Sequence, residues 1–312
     1  MTKPRPAEII RQFFSNEKNF GQPVIGDAGL NRRGFHVARI LLSDAAHLLR
    51  TLPFWWLHPV LWYRFNRDGM VVIENFLPQE EFAALMREYE ATVAEHARNH
   101  PLPADSSTGF GRKRENPGGF DRNDGCSWNR FISLRPEHAA LCRLYAGSWR
   151  MSLLVLALFG MVNRVKKHDI YLLIHGDDAS NPDDQRDWHR DTFHHTYKIW
   201  YYVDAVGEED GPTEFLLGSN RSTLNRLRWE YGVSVARSQP DAPEKGGALR
   251  VVDRDLPLVA DGEPVRKVVV PANTLVLLDT KAFHRRGEAP GGSVRRGLYA
   301  NFRPQAFWPW AH

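Results

Sequence analysis

Six short runs in the C-terminal half constrain this chain more than any other feature. IYLLIH (170–175), YKIWYYVD (197–204), TEFLLG (213–218), RKVVVP (266–271), NTLVLLD (273–279) and RRGLYANF (295–302) are rich in β-branched and aromatic residues and are bounded by Gly, Pro, Asn or Asp. Strands this short and this numerous predict two packed sheets, a sandwich or barrel. Because they follow a helical N-terminal half, the expected class is α+β, mainly β: a double-sheet jelly roll with helices packed against one sheet.

The N-terminal half divides by pattern. FHVARILLSDAAHLLR (35–50) carries Phe35, Ala38, Leu41, Leu42, Ala45, Leu48 and Leu49 at helical spacing and predicts an amphipathic helix. The aromatic stretch TLPFWWLHPVLWYRF (51–65) is interrupted by Pro53 and Pro59, which rules out one straight helix. Two roles fit it: a hydrophobic flap over the core, which aromatic clustering favours, or a patch at a membrane interface. After Asp68-Gly69, MVVIENFL predicts a strand, and Pro78 with the following glutamates opens a helix. Residues 101–130, rich in Gly, Pro, Arg and Asp, show no periodicity and predict a long loop, whereas 136–164 predicts one or two helices. No linker separates these parts, so residues 65–312 are expected to form one domain and residues 1–64 a helical, aromatic extension.

Composition excludes some functions. The net charge of +4 comes from 41 basic and 37 acidic residues of mixed distribution, without a recognition-helix or zinc-finger pattern, so a nucleic-acid partner is not expected. A small-molecule substrate is. No run reads as a membrane-spanning helix, and MTKPRPAEIIRQFF lacks the apolar region of a signal peptide, which predicts a cytoplasmic protein with at most peripheral membrane contact through its N-terminal segment. Cys126 and Cys142 are expected to be free thiols.

DWHRDTFHH (187–195) poses the chemical question. An H-x-D pair in extended chain puts an imidazole and a carboxylate on one face, within reach of one ion. The sequence holds two such pairs, His175/Asp177 and His189/Asp191. His175 leads into the flexible DDASNPDDQRD, a poor platform for ligands, while His189 and Asp191 precede a strand. Two histidines and one carboxylate make the facial set of non-haem Fe(II) oxygenases, and His284, after NTLVLLDTKAF, is the candidate third member. Arg295, eleven residues beyond His284, opens the next strand and carries a planar fork suited to a carboxylate. It shares a strand face with Gly297 and Tyr299, and the small Gly297 is expected to leave room for a pocket. Arg296 shares its own face with Leu298, Ala300 and Phe302, a packing surface. Lys198 and Tyr171, on neighbouring strands, are candidate secondary contacts. His194, His195 and Asp187 read as residues near the site or in solvent.

Taken as a set, DGMVVIENFL with its following helix, WHRDT, YKIWYYVD, EEDGPTEFLLGSNRS, LLDTKAFHRRGEA and RRGLYANFRP resemble the phytanoyl-CoA dioxygenase family of Fe(II)- and 2-oxoglutarate-dependent oxygenases. The resemblance runs over residues 65–304 and implies a double-stranded β-helix, the jelly roll of the cupins. It also implies Fe(II) held at His189, Asp191 and His284, 2-oxoglutarate gripped by Arg295, and O2 as the oxidant, with succinate and CO2 as products. Asp191 favours hydroxylation, since halogenating relatives lack this carboxylate. Gly218-Ser219-Asn220 departs from the Gly-Ser-His of many members. The competing readings are a cupin-like protein using zinc or manganese at the same ligands, and a jelly-roll carbohydrate-binding module. A basic, aromatic mouth suits an anionic or amphiphilic substrate, a lipid- or sugar-linked molecule among them.

Overall fold

The structure, a computed structural model, describes residues 5–102, 113–164 and 168–310. Its N-terminal part is helical, with α1 (Pro6–Phe13), α2 (Ala28–Arg32), α3 (Phe35–Thr51) and α4 (Pro59–Asp68). A 3-10 turn, Leu52–Leu57, separates α3 from α4, so the two prolines break the aromatic stretch as expected. Pro59 sits in the first turn of α4, where its missing N–H leaves no bond unmade. Gly69 closes that helix in a left-handed conformation (φ 79°), open to glycine at little cost. The strand β1 (Met70–Ile73) and helix α5 (Gln79–Asn99) follow where the sequence places them.

Residues 113–133 are not a loop. They form β2 (Lys113–Asn116), β3 (Gly119–Asp124) and β4 (Ser127–Ser133), an antiparallel meander that extends the main sheet. Residues 103–112 of the expected loop lie outside the described residues. Polar side chains hide the strand pattern because they are buried in pairs: Arg130 clasps Asp121 at 2.7 and 2.9 Å, and Asn129 donates to Asp124 at 2.7 Å. A buried ion pair reads as solvent-facing in a hydropathy pattern.

Next come α6 (Ala139–Cys142), a π turn, α7 (Trp149–Phe159) and β5 (His168–Ile174), then β6 (His189–Arg190), β7 (Tyr197–Tyr202) and β8 (Thr213–Leu216). The chain continues through α8 (Leu224–Arg237), β9 (Leu249–Arg250), α9 (Leu256–Ala260), β10 (Val265–Lys267), β11 (Thr274–Asp279), β12 (His284–Arg286) and β13 (Val294–Phe302). The larger sheet has the order β1-β11-β7-β13-β5-β4-β3-β2 and the smaller β10-β8-β12-β6-β9, giving the jelly roll. One face of the larger sheet packs Val71, Ile199, Leu277, Leu298 and Ala300 against Leu85 of α5 and Leu154 and Leu158 of α7. Its other face meets the smaller sheet, with Met70, Tyr202 and Val276 against Phe215 and Val268. Cys126 and Cys142 are unpaired.

By length and composition, contrary to expectation, Ala139–Phe159 is apolar enough to cross a membrane, at a mean hydropathy of 1.2. In this fold Ser148 restarts the helix by capping Met151 N, and Met151, Leu154, Val155 and Leu158 join the core.

Helix α3 forms as predicted but stands the other way round. Its leucines Leu41, Leu42, Leu48 and Leu49 are 38–55% exposed, while His36, Arg39, Ser43, His47 and Arg50 are buried. The inward polar face is tied to residues far along the chain. His36 bonds Glu230 at 3.0 Å, and that carboxylate also takes Arg190 at 2.8 Å and Arg226 at 2.9 Å. Asp44 pairs with His195 at 3.1 Å and with Lys281, and His47 bonds Tyr197 at 2.8 Å. Burial opposes the Glu230 charge, but Arg190 and Arg226 outweigh it and hold the carboxyl well below its usual range. A depressed folded pKa stabilises the fold above the ordinary glutamate range, and that contribution declines below this range and is lost as pH falls through the depressed folded value. Glu230→Ala strands two buried guanidinium groups and should destabilise the protein by about 3–5 kcal/mol, read as a lower denaturant midpoint.

Candidate active site

His189 and His284 lie on adjacent strands. β6 and β12 pair antiparallel with His284 directly opposite His189, so a register one residue away would turn one ring to the other face. Asp191 leaves β6 two residues on, and its backbone N–H is fixed by Thr280 O at 3.0 Å. The ligand-capable atoms of His189, Asp191 and His284 fall within 4.8 Å of one another, the one such group among the described residues. Asp191 Oδ1 is 3.9 Å from His189 Nε2 and 3.8 Å from His284 Nε2.

Both rings are set for a cation. His189 Nδ1 lies 2.8 Å from Asp187 O and His284 Nδ1 lies 3.0 Å from Ala282 O. A carbonyl only accepts, so each Nδ1 carries the proton and each Nε2 keeps a lone pair, close to Asp191 Oδ1. His284 Nε2 is buried with no hydrogen-bond partner among the described residues. Burial, then the neighbouring His189, pushes the His284 imidazole down to about 3, and burial also lowers His189, so both are neutral near pH 7. Burial, the largest single influence, raises the Asp191 carboxyl, but Lys198 at 2.7 Å from Oδ2 and the His284 and His189 rings together outweigh it and hold the group well below its usual range. This donor set, two neutral imidazoles and one carboxylate, fits a divalent first-row metal.

Beside the three side chains is a cavity of about 90 Å³ lined by His189, His284, Lys198, Arg295 and the rings of Tyr171, Trp200 and Tyr299. Five cations border it, and four have carboxylate partners: Arg122 with Asp124, Lys198 with Asp191, Arg285 with Glu214, and Arg286 with Asp183. Arg295 has none among the described residues. Its guanidinium donates to Gly211 O, its Nε is buried without a partner, and it is 5% exposed. Arg296 points to the opposite face, pairing with Asp204 and Glu90. Gly297 does not make the pocket. A Cβ there would lie 2.6 Å from Tyr201 O, so the glycine permits close approach of β7 rather than opening space.

The other candidates separate. Tyr171 lines the cavity with its ring while its hydroxyl donates to Asn129 at 2.6 Å. His175 is buried beside Gly211 and Asp177 is exposed beside Gly291, so that H-x-D pair does not converge. His194 is buried, His195 is held between Asp44 and Asp279, and Asp187 faces Arg250 at 3.5 Å. Ser219, in the Gly-Ser-Asn turn, accepts Phe283 N–H at 2.8 Å and so supports the strand bearing His284. A larger cavity of about 250 Å³ around His96, His100 and His138 brings, among the described residues, no carboxylate to those rings in metal-binding geometry.

Two contributors escaped sequence reading. Lys18 of the N-terminal extension donates to the backbone carbonyl of Asp191, a contact with no local signal. Arg286, buried on Asp183 and 2.8 Å from Asn129, forms a wall of the cavity; its place two residues after His284 on a short strand was the available clue.

The sequence profile described as "Phytanoyl-CoA dioxygenase (PhyH)" matches residues 65–297. The chain belongs to the phytanoyl-CoA dioxygenase family. It is a 2-oxoglutarate-dependent non-haem iron dioxygenase whose cofactor is iron and whose cosubstrates are 2-oxoglutarate and O2. No curated protein matches the chain. Among solved structures, AviO1 from Streptomyces viridochromogenes Tue57 is similar at 17% identity over 81% of this chain and 96% of that one, with a TM-score of 0.46. EctD from S. alaskensis with 2-oxoglutarate and 5-hydroxyectoine is similar at 15% identity over 80% and 79%, TM-score 0.46. The epimerase SnoN in complex with Fe3+, alpha ketoglutarate and nogalamycin RO is similar at 17% identity over 79% and 86%, TM-score 0.45.

Proposed function

We propose that this enzyme hydroxylates a C–H bond of an anionic or amphiphilic small molecule, with iron at His189, Asp191 and His284 and the distal carboxylate of 2-oxoglutarate on Arg295. The observation that carries the reading is the pair of carbonyl-tethered imidazoles turning their Nε2 atoms toward Asp191 Oδ1 beside a buried, carboxylate-free arginine. Bound together, iron and 2-oxoglutarate would supply, with O2 as the oxidant, decarboxylation to succinate and CO2, one oxygen atom entering succinate and the other the substrate C–H bond. The chain's own groups orient and exclude. Asp187 O and Ala282 O lock the two rings, and Lys198 holds Asp191 Oδ2, leaving Oδ1 toward the rings. Arg295, 5% exposed, presents a charge whose pairing with a carboxylate is little screened by water.

The presence of Asp191 supports hydroxylation over halogenation. Four of the five cavity cations are already neutralised, and aromatic rings form much of the wall, which favours the amphiphilic side of the substrate proposal. Incubating the iron-loaded enzyme with 2-oxoglutarate and a panel of amphiphiles and small anions should give succinate release above the uncoupled background with at least one class. If only highly charged anions stimulate it, the amphiphilic preference is wrong.

Lys198→Met tests the positioning of Asp191. Loss of a group that orients a ligand weakens metal affinity by roughly 10–100-fold, so iron titration should shift by that amount while 2-oxoglutarate binding at saturating iron changes less. An unchanged iron constant with a raised 2-oxoglutarate constant would make Lys198 a cosubstrate contact instead.

A further inference from the structure

Helix α3 presents to the outside a stripe with no polar member. Ala38, Leu41, Leu42, Ala45, Leu48, Leu49 and Leu52 recur at spacings of one, three and four residues, and all are exposed. A soluble helix ordinarily turns such a stripe to the core and leaves its charges in water. Here the charged and polar residues are the buried ones, locked to Glu230, His195, Lys281 and Tyr197, so the helix cannot roll to hide its leucines without breaking those bonds. The chain carries the same surface onward. Trp55, 64%-exposed Trp56, Val60 and Tyr63 are uncovered on the 3-10 turn and α4, whereas Leu57, Leu61 and Trp62 pack on the core. A flap and an interfacial patch are thus two faces of one segment.

Charge identifies the occupant. Residues 1–67 hold ten of the 41 basic residues and four of the 37 acidic ones, a net +6, while the remaining residues sum to −2. The exposed Arg5, Arg11, Arg32, Arg33 and Arg64 form no ion pair among the described residues, and Asp44 faces inward to Lys281. In sequence, an exposed leucine stripe runs from Arg32-Arg33 to exposed tryptophans and then Arg64, and these are the side-chain types that acyl chains, the interface and anionic headgroups each favour. A second copy of this chain would bring the same positive charge to the same patch and repel it.

We infer that the outer face of α3, the 3-10 turn and α4 is a peripheral docking surface for an anionic lipid bilayer. The same helix reaches the neighbourhood of the His189, Asp191 and His284 group with its inner face: Asp44 and Tyr197-bound His47 contact His195, four residues beyond Asp191. Docking would therefore hold the site at a fixed attitude to the membrane. The inference does not depend on the substrate proposal.

Deleting the segment would also remove the buried ion pairs, so substitutions on the outer face are the test. The full chain should co-sediment with vesicles of phosphatidylcholine containing one-third phosphatidylglycerol, much less with phosphatidylcholine alone, and less as salt rises. L48E together with L49E should weaken this binding by at least about tenfold with an unchanged circular dichroism spectrum, and R33E with R64E should do so with less salt dependence. Absence of vesicle binding, or equal binding by L48E/L49E, would overturn the inference. So would a dimer of the parent chain that L48E/L49E dissociates while vesicles bind neither protein. Binding is read without turnover, so failure here is distinct from failure to find a hydroxylated substrate.

Discussion

Alanine at His189, Asp191 or His284 is expected to abolish iron-dependent turnover and to remove stoichiometric iron binding. Each of the three offers one atom to a group only 4.8 Å across, and the two imidazole Nε2 atoms are kept free by carbonyls behind them. Two remaining ligands do not reproduce a facial set, and water would have to fill the third protein position. The expected loss exceeds a hundredfold in kcat, on the order of 3 kcal/mol or more of barrier by the arithmetic of rates. Asp177→Ala, at the exposed end of the other H-x-D pair, should leave iron stoichiometry unchanged. Metal analysis of the purified variants checks both halves. Full iron occupancy in Asp191→Ala, or loss of iron in Asp177→Ala, would move the metal elsewhere.

Arg295→Leu should raise the 2-oxoglutarate constant at least tenfold with iron binding nearly intact. Truncating one partner of a buried charge pair costs about 2–5 kcal/mol, and among the described residues Arg295 is the cavity cation not already committed to a carboxylate. Arg296→Leu, on the opposite strand face, removes the pairing with Asp204 and Glu90 and should change stability modestly, with a small effect on the cosubstrate constant. Calorimetric titration of iron-loaded protein, with O2 excluded so that turnover does not intrude, separates the two. A larger effect from Arg296 would place the cosubstrate outside the cavity described above.

Local pattern made several decisions legible. Short runs rich in β-branched and aromatic residues, bounded by Gly, Pro, Asn or Asp, placed β5, β7, β8, β11 and β13, because such side chains suit a pleated, packed surface and the flanking residues turn the chain. The H-x-D spacing put His189 and Asp191 near one point, and the distance in sequence to His284 did not matter once β6 and β12 were paired. The opposed faces of Arg295 and Arg296 followed from strand geometry alone, although the reason for Gly297 did not: its neighbour is the carbonyl of Tyr201 on another strand. The strands β6 and β12, which carry His189 and His284, span only two and three residues, too short for any periodicity to announce them.

What periodicity reports is which residues share a face; what covers that face is decided by groups far away in the chain. The sequence determined that α3 would be a helix with a leucine stripe, but only Glu230, His195 and Lys281, some 150 to 240 residues distant, decided that the polar side would turn inward. The meander of β2, β3 and β4 was illegible for the same reason, since a buried Arg130–Asp121 pair and a solvated one have identical letters. Likewise the sequence supplied five cations for the cavity, and only the tertiary pairing left Arg295 without a carboxylate among the described residues. Burying a charge is costly until its partner is in place, and that partner is a property of the fold.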